Sequence, residues 1–312
     1  MKPQLAEDAD LDAVRFPCIV QPKIDGVRAM NLNGTLTGRS LKTFEGTGIT
    51  EYFSRPEFIG LDGEMTLGDK PNCGERLCSL TTGAMGRFKD VSEMADLHWW
   101  VFDHLKSPSW GYRQRYSELS ALVAELNHPR IKRVPMYAPA SQNELREYIA
   151  RFAEEGYEGT IIRNPDAPYK EGRATKKGQE LWRVKPWSDA EILVTGITQG
   201  EKNSNEAKKN LLGRTERSSS KDGMAPNSEV GSIQGTMLAD FFDPNTGRLL
   251  FSRGLSITVS PGEMTAAEAL YYWAHPEEIV GHIVKFKHMT HGVKDKPRFP
   301  IYLSHRLPQD LV

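Results

Sequence analysis

Apolar and polar positions alternate through the first half of the chain in short β-type runs, interrupted by two helix-type segments. Cys18-Ile19-Val20 is an apolar run ahead of Gln21 to Arg28 (QPKIDGVR), and Val27 to Leu32 resumes the pattern beyond it. Asn33-Gly34 marks a hairpin before Thr35 to Arg39. Ile59 to Met65 is apolar at its start and polar at its end, as in a strand reaching the same region. Leu97 to Asp103 (LHWWVFD) is aromatic and β-prone, which suits a buried strand. Ser117 to Leu126 and Ser141 to Glu155 read as helices. The second opens on a capping box, Ser141-x-x-Glu144, carries Leu145, Tyr148, Ile149 and Phe152 at i, i+3, i+4 and i+7, and meets Gly156 as a stop. Glu158 to Arg163 gives a further strand, a Gly/Pro/Lys-rich loop follows through Gly178, and Leu181 to Trp187 alternates like a strand that Pro186 ends. Leu5 to Val14 is too short and acidic to assign.

Beyond Ser188 the texture changes. Glu191 to Ile197, Gly235 to Phe242, Arg248 to Ser252 and His282 to His288 are short β segments, with one helix over about Thr265 to Ala274. Several short strands and one helix predict a small barrel. The pattern therefore predicts two domains, residues 1–187 and 188–312.

Composition adds limits. The 312 residues are 38% hydrophobic and 26% charged, as in ordinary soluble globular proteins. No apolar run is long enough to span a bilayer, and the N-terminal MKPQLAEDAD has no signal-peptide pattern. Cys18, Cys73 and Cys78 lack metal-site spacing and read as reduced thiols of a cytoplasmic protein. The net charge is −1, but it is unevenly spread. Residues 202–222 carry six Lys/Arg against three acids, and residues 285–298 carry five against Asp295 alone. Two basic stretches in one domain predict a surface that faces a polyanion.

Candidate chemistry collects at strand ends of the first domain: Lys23, Asp25, Arg28, Arg39, Glu64, Glu158, Arg163, Arg183 and Lys185. Cations around a reacting centre stabilise a transferring phosphoryl group, and carboxylates hold its divalent metal. Neither a Walker-type loop nor a protein-kinase catalytic loop is present. A lysine nucleophile remains, since an amine attacks in its neutral form and nearby cations favour that form. Lys-x-Asp-Gly also suits a plain β-turn with a solvated lysine.

The motifs in order settle on a resemblance. Lys23-Ile24-Asp25-Gly26-Val27-Arg28 matches the KxDGxR signature of covalent nucleotidyltransferases. Asp62-Gly63-Glu64, Phe102-Asp103, Glu158-Gly159-x-x-Ile162-Arg163 and Trp182-Arg183-Val184-Lys185-Pro186 follow in that superfamily's order. Residues 18–312 resemble a small two-domain, phage-type ATP-dependent DNA ligase. The resemblance implies an α+β fold, in which an adenylation domain of antiparallel sheets and helices precedes an OB-fold barrel. It implies Lys23 as the residue that carries AMP, Arg28 and Arg39 as guides for the nick termini, and Lys185 on the α-phosphate. It implies Glu64 on the ribose, Phe102 on the adenine, Gln21, Arg183 and Arg298 among the nucleotide contacts, and Glu158 with Asp25 at a Mg2+ (or Mn2+) ion. Phe102 also fits a core position, and Glu64 and Glu158 also fit turn caps. Arg183 stands where the family usually has lysine. Arg298-Phe299-Pro300-Ile301-Tyr302 with Arg306 resembles the family's C-terminal RxPxF…R segment, without the aspartate-lysine pair that often follows; Asp310 alone is near. Lys208, Lys209, Arg214, Lys285 and Lys287 would face DNA, with Lys208 to Asp222 mobile until duplex binds. The implied partners are ATP and nicked duplex DNA, the implied state a monomer without membrane contact. An mRNA-capping guanylyltransferase or an RNA ligase shares the lysine chemistry, and a non-catalytic OB-type scaffold that binds nicks is a further alternative.

Overall fold

The computed structural model describes residues 1–71, 77–94, 96–244, 247–290, 293 and 295–306; Cys73, Lys294 and Asp310 lie outside the described residues. The chain divides into two compact units, Met1–Lys185 and Pro186–Val312. The division falls just ahead of the expected one because Trp187, Ser188 and Asp189 already pair with Met289, His288 and Lys287.

The first unit holds two principal sheets. In the larger, the strands Thr35–Gly38, Val27–Leu32, Leu61–Leu67, Leu97–His104 and Ile131–Arg133 lie side by side in that order. The first four are antiparallel, and the last pairs parallel to its neighbour. Helices α1 (Thr47–Phe53), α2 (Leu77–Met85) and α3 (Tyr112–Leu126) accompany this sheet. Its core gathers Phe53, Phe58, Trp99, Tyr112 and Leu119. Helix α3 begins five residues before the expected Ser117, because Tyr112, Tyr116 and Leu119 form one buried stripe.

The smaller sheet orders Glu7–Asp8, Trp182–Val184, Gly159–Arg163 and Ile19–Lys23, with helix α4 (Gln142–Glu154) packing Leu145 and Phe152 against Val20, Ile162 and Trp182. At the start of α4 the Ser141 hydroxyl accepts the Glu144 amide hydrogen at 3.3 Å. The Glu144 carboxylate takes the amide of Ala140, at 2.9 Å, so the capping box is shifted by one residue from the expected reciprocal form. The unassigned N-terminal segment supplies two short strands. Gln4–Leu5 pairs parallel with Gly172–Arg173, and Glu7–Asp8 pairs parallel with the Trp182–Val184 strand.

In the second unit five strands run antiparallel in the order Ser256–Val259, Met224–Met237, Trp187–Asn203, Ile283–Met289 and Arg298–His305. The two edges meet where Ser260 and Ile301 bridge: Ser260 donates to the Pro300 carbonyl and Tyr302 donates to that of Ser260, each at 2.9 Å. This closes the sheet into the OB-type barrel, with Phe286, Ile233 and Val259 inside. Helix α5 (Ala266–Ala274) opens on a capping box between Thr265 and Glu268. The two longest strands, of 17 and 14 residues, extend beyond the barrel, and a small hairpin of Ala207–Lys209 with Thr215–Arg217 caps their ends. The stretch expected to be mobile thus forms a hairpin. Asn210 Oδ1 accepts from the Leu212 and Arg214 amides and holds its turn.

Candidate active site

Strand register assembles the site. In the Ile19–Lys23 strand, Pro22 lies opposite Thr160 and Lys23 opposite Gly159. Val184 faces Thr160 from the other side. Lys23 and Lys185 therefore flank Glu158, whose amide donates to the Lys23 carbonyl at 3.0 Å. The Glu158 carboxylate accepts from the Lys23 ammonium on one oxygen and from Lys185 Nζ, at 2.7 Å, on the other. Gly159 permits this approach, since a Cβ there would stand 2.1 Å from the Val184 carbonyl oxygen. Gly26 does the same for the signature turn, where a Cβ would sit 2.3 Å from the Met65 carbonyl.

The expectation surrounded Lys23 with cations; its direct partner is a carboxylate. Glu158 is 4% exposed. Burial alone would push its carboxyl up, but Lys23 and Lys185 hold it down at about 2. Glu64 behaves oppositely: burial pushes it up to about 7, against the pull of Lys23 and Arg28. Both line a pocket of about 280 Å³ together with Gln21, Asp25, Arg39 and Phe102.

Phe102 is half-buried: it lines this pocket and packs against the small apolar cluster of Ile24, Trp100 and Val134, while Trp99, Val101 and Asp103 take the opposite face of its strand. The Arg28 guanidinium lies 4.7 Å from its ring centroid and Arg163 5.7 Å. Arg28 is held in turn by Asp62, fully buried, through bonds of 2.5 and 2.6 Å. Arg28 thus has a structural partner that the motif did not announce. Burial and the nearby Arg28, Arg173 and Arg183 lower the pKa of Arg39, which marks a strongly positive rim.

Sequence reasoning missed the support beneath Phe102. Asp103 binds Arg115 through two bonds, of 2.8 and 3.0 Å, and reaches Arg163 at 3.4 Å. Arg115 is 1% exposed. The available signal was a charged residue on the apolar stripe of α3, between Tyr112 and Leu119. Tyr112 also contributes. Its hydroxyl has one hydrogen and two neighbours, the Phe102 carbonyl at 2.8 Å and the Gln21 carboxamide at 2.6 Å. The carbonyl can only accept, so it takes the hydrogen, and the carboxamide satisfies the phenol by presenting its NH2 group. Gln4 lines the pocket as well, from a segment too short to read.

Arg183 lines the pocket and is tied to Asp8 at 2.7 Å. The remaining expected residues lie in the second unit, whereas every lining residue of the pocket belongs to the first. Arg298 lies over the Phe299 ring at 5.1 Å. Lys285 pairs with Asp189 at 2.6 Å, and Lys287 pairs with Glu263. Lys208, Lys209 and Arg214 are exposed on the distal hairpin and its turn, Lys208 with Glu206 at 3.2 Å. Among the described residues no three His, Cys, Asp or Glu side chains gather as a metal cage. Asp25 and Glu158 line the same pocket, and both oxygens of Glu158 accept from lysine ammonium groups.

Residues 3–185 match the family model described as the ATP dependent DNA ligase domain. A DNA ligase of African swine fever virus (isolate Warthog/Namibia/Wart80/1980) is 30% identical over 200 residues, which are 59% of this chain and 45% of that one. A probable DNA ligase of Streptomyces coelicolor is 30% identical over 87 residues, 28% of this chain and 16% of the other. The chain spans about half the length of the viral relatives it matches. Among solved structures, the Chlorella virus DNA ligase-adenylate is 25% identical with a TM-score of 0.52, over 98% of each chain. A Lig E DNA ligase shares the fold at 20% identity with a TM-score of 0.69, over 98% of this chain and 99% of that one. With the signature lysine, its paired carboxylate and the domain match all within residues 3–185, the chain belongs to the ATP-dependent DNA ligase family.

Proposed function

We propose that this chain seals 3′-hydroxyl/5′-phosphate nicks in duplex DNA using ATP, working as a cytoplasmic monomer. The observation that carries the reading is Glu158 clasped by Lys23 and Lys185 in a pocket that also holds Glu64 and Phe102. In the first step the Lys23 amine attacks the α-phosphorus of ATP. A P–N bond forms, the bond to pyrophosphate breaks, and the amine loses a proton. Burial pushes the Glu158 carboxyl up and the charges of Lys23 and Lys185 are what hold it down, so the resting site is a carboxylate between two ammonium groups. Glu158 positions the two lysines; Lys23 gives one proton to solvent, to which its side chain is 22% exposed, before attacking as the neutral amine, and a second once the P–N bond has formed. Lys185 stabilises charge on the α-phosphate. Glu64 binds the ribose and Phe102 stacks on the base. Glu158 and Asp25 would hold Mg2+, which supplies charge neutralisation on the phosphates when bound.

In the second step an oxygen of the 5′-phosphate attacks the adenylate phosphorus, and the P–N bond breaks to return the lysine. In the third the 3′-hydroxyl attacks the activated 5′-phosphate and AMP leaves. Arg28 and Arg39 guide the phosphate, Arg28 with two of its five N–H donors already on Asp62. The distal hairpin supplies exposed cations for the DNA backbone, and Lys285 and Lys287 join only where phosphates displace Asp189 and Glu263.

Purified protein incubated with ATP labelled on its α-phosphate and Mg2+ tests this on a denaturing gel. The expected result is a labelled protein band, absent in Lys23→Ala, not formed with labelled GTP, and chased into sealed product by nicked DNA in preference to nicked RNA. A band formed by Lys23→Ala removes Lys23 as nucleophile, and a band with GTP alone turns the reading to a guanylyltransferase.

A further inference from the structure

Helix α5 is apolar on nearly every side. Its sequence AAEALYYWA has Glu268 as the one charged residue. The inner side packs Ala269, Tyr272 and Trp273 against the barrel core. The outer side presents Ala267, Leu270, Tyr271 and Ala274, spaced i, i+3, i+4 and i+7, all exposed. Leu270 is 48% and Tyr271 49% exposed. A helix that is hydrophobic all round belongs in an interior, so this outer stripe is built to be covered.

The surrounding charge says by what. From residue 254 to residue 284 there is no lysine or arginine, and there are four glutamates, Glu263, Glu268, Glu277 and Glu278. Glu263 is matched by Lys287, and Glu277 has His275 at 3.5 Å. The stretch is acidic, as are residues 186–201 and 223–247, which also lack lysine and arginine; it differs from the basic stretches at 202–222 and 285–298, and it repels nucleic acid. It also disfavours a second copy: two such helices packed antiparallel would set Glu268 against Glu277 and Glu278. A nine-residue helix is about 13 Å long, so its face alone buries far less than the ~1,200 Å² of a standard protein pair, and whatever covers it makes a weak, peptide-sized contact. Short, apolar and edged with glutamate, the face fits a short amphipathic segment of another protein.

We propose that the outer face of α5 docks an amphipathic helical segment of a partner protein, with apolar side chains on Leu270 and Tyr271 and lysines or arginines toward Glu268, Glu277 and Glu278. The inference rests on the second unit alone and is independent of the reaction assigned to the pocket.

The probe is a labelled 14-residue leucine/lysine peptide with leucines at i, i+3, i+4 and i+7, beside a leucine/glutamate peptide of the same pattern. Both are titrated into the full chain by fluorescence anisotropy. The leucine/lysine peptide should bind and the leucine/glutamate peptide should not. Leu270→Asn with Tyr271→Asn should weaken binding about tenfold or more, as loss of an interface anchor does. Glu277→Lys with Glu278→Lys should shift the preference toward the leucine/glutamate peptide. These are surface positions, and self-adenylation should proceed at the wild-type rate in both variants. Equal binding of both peptides, or binding that neither variant changes, overturns the proposal. So does self-association lost on Leu270→Asn in sedimentation, which would make the occupant a second copy. Impaired adenylation or sealing in Leu270→Asn with Tyr271→Asn, without any effect on peptide binding, also overturns it and places the cover within the chain.

Discussion

At the scale of single residues, Lys23, Glu64 and Glu158 were picked out by a run of motifs that resembles the ligase family, and the structure brings all three to one pocket. KxDGxR and the downstream DGE and EG pairs name positions whose chemistry does not depend on neighbours far away in sequence. What binds those residues was not legible. Asp103 with Arg115 and Asp62 with Arg28 join residues on separate elements, and no local pattern announces such pairs. Glu64 gives a prediction at this scale. With its carboxyl near 7, it is an ionised hydrogen-bond acceptor only in the upper part of the neutral range. The KM for ATP in self-adenylation should therefore rise as pH falls from 8 to 6, and Glu64→Gln should flatten that profile; a wild-type profile that is already flat would remove Glu64 from ATP binding. Tyr112 gives another. Tyr112→Phe keeps the ring beneath Arg163 but strips partners from the Phe102 carbonyl and Gln21. Urea unfolding should report a loss of about 1–3 kcal/mol, the usual cost of stranded buried polar groups, together with a raised KM for ATP.

At the scale of elements, periodicity found the helices and most strands, and it failed where an element was short or held from outside. Glu7–Asp8 and Gln4–Leu5 have two residues each, too few to show any period, and they exist because partner strands near residues 172 and 183 hold them. The distal hairpin was read as mobile from its polar composition; Asn210 and the Ala207–Lys209/Thr215–Arg217 pairing order it. The hairpin presents Lys208, Lys209 and Arg214 as exposed cations on one small unit. Replacing Lys208 and Lys209 with Ala should weaken binding to nicked duplex and reduce the slope of log affinity against log salt by about 2, one for each phosphate left without its lysine. Anisotropy titrations between 50 and 200 mM salt check this, and an unchanged slope would take the hairpin off the DNA.

At the scale of the whole molecule, the change from helix-punctuated strands to short strands alone placed the domain boundary within a few residues. The remaining error came from Trp187, whose pairing partner Met289 is about a hundred residues downstream. Electrostatics at this scale gives opposite pH signatures for two pocket carboxyls. Glu158 is depressed from the ordinary 4.5 to about 2, so it stabilises the folded state above about 4.5 and that contribution is lost as pH falls toward 2. Glu64 is raised to about 7, so its folded form loses relative stability as pH rises from 4.5 through 7. Thermal unfolding should show Glu158→Gln destabilised at pH 7, by roughly 3 kcal/mol as for a broken buried pair, with the gap closing toward pH 2. Glu64→Gln should instead gain on the wild type as pH rises from 4.5 to 8. Parallel curves for variant and wild type would contradict these assignments.

The pairing of Gln4–Leu5 and Glu7–Asp8 with strands at the far end of the first unit bears on how the protein is made. Asp8 and its partner Arg183 are 175 positions apart, so on a ribosome the first strand to emerge is among the last to find its place. Until Arg183 has cleared the exit tunnel, the cleft around Lys23 lacks both the wall from Gln4 to Ala6 and the rim from Arg183 to Lys185. The pocket is therefore complete only when both ends of the unit have been translated and joined.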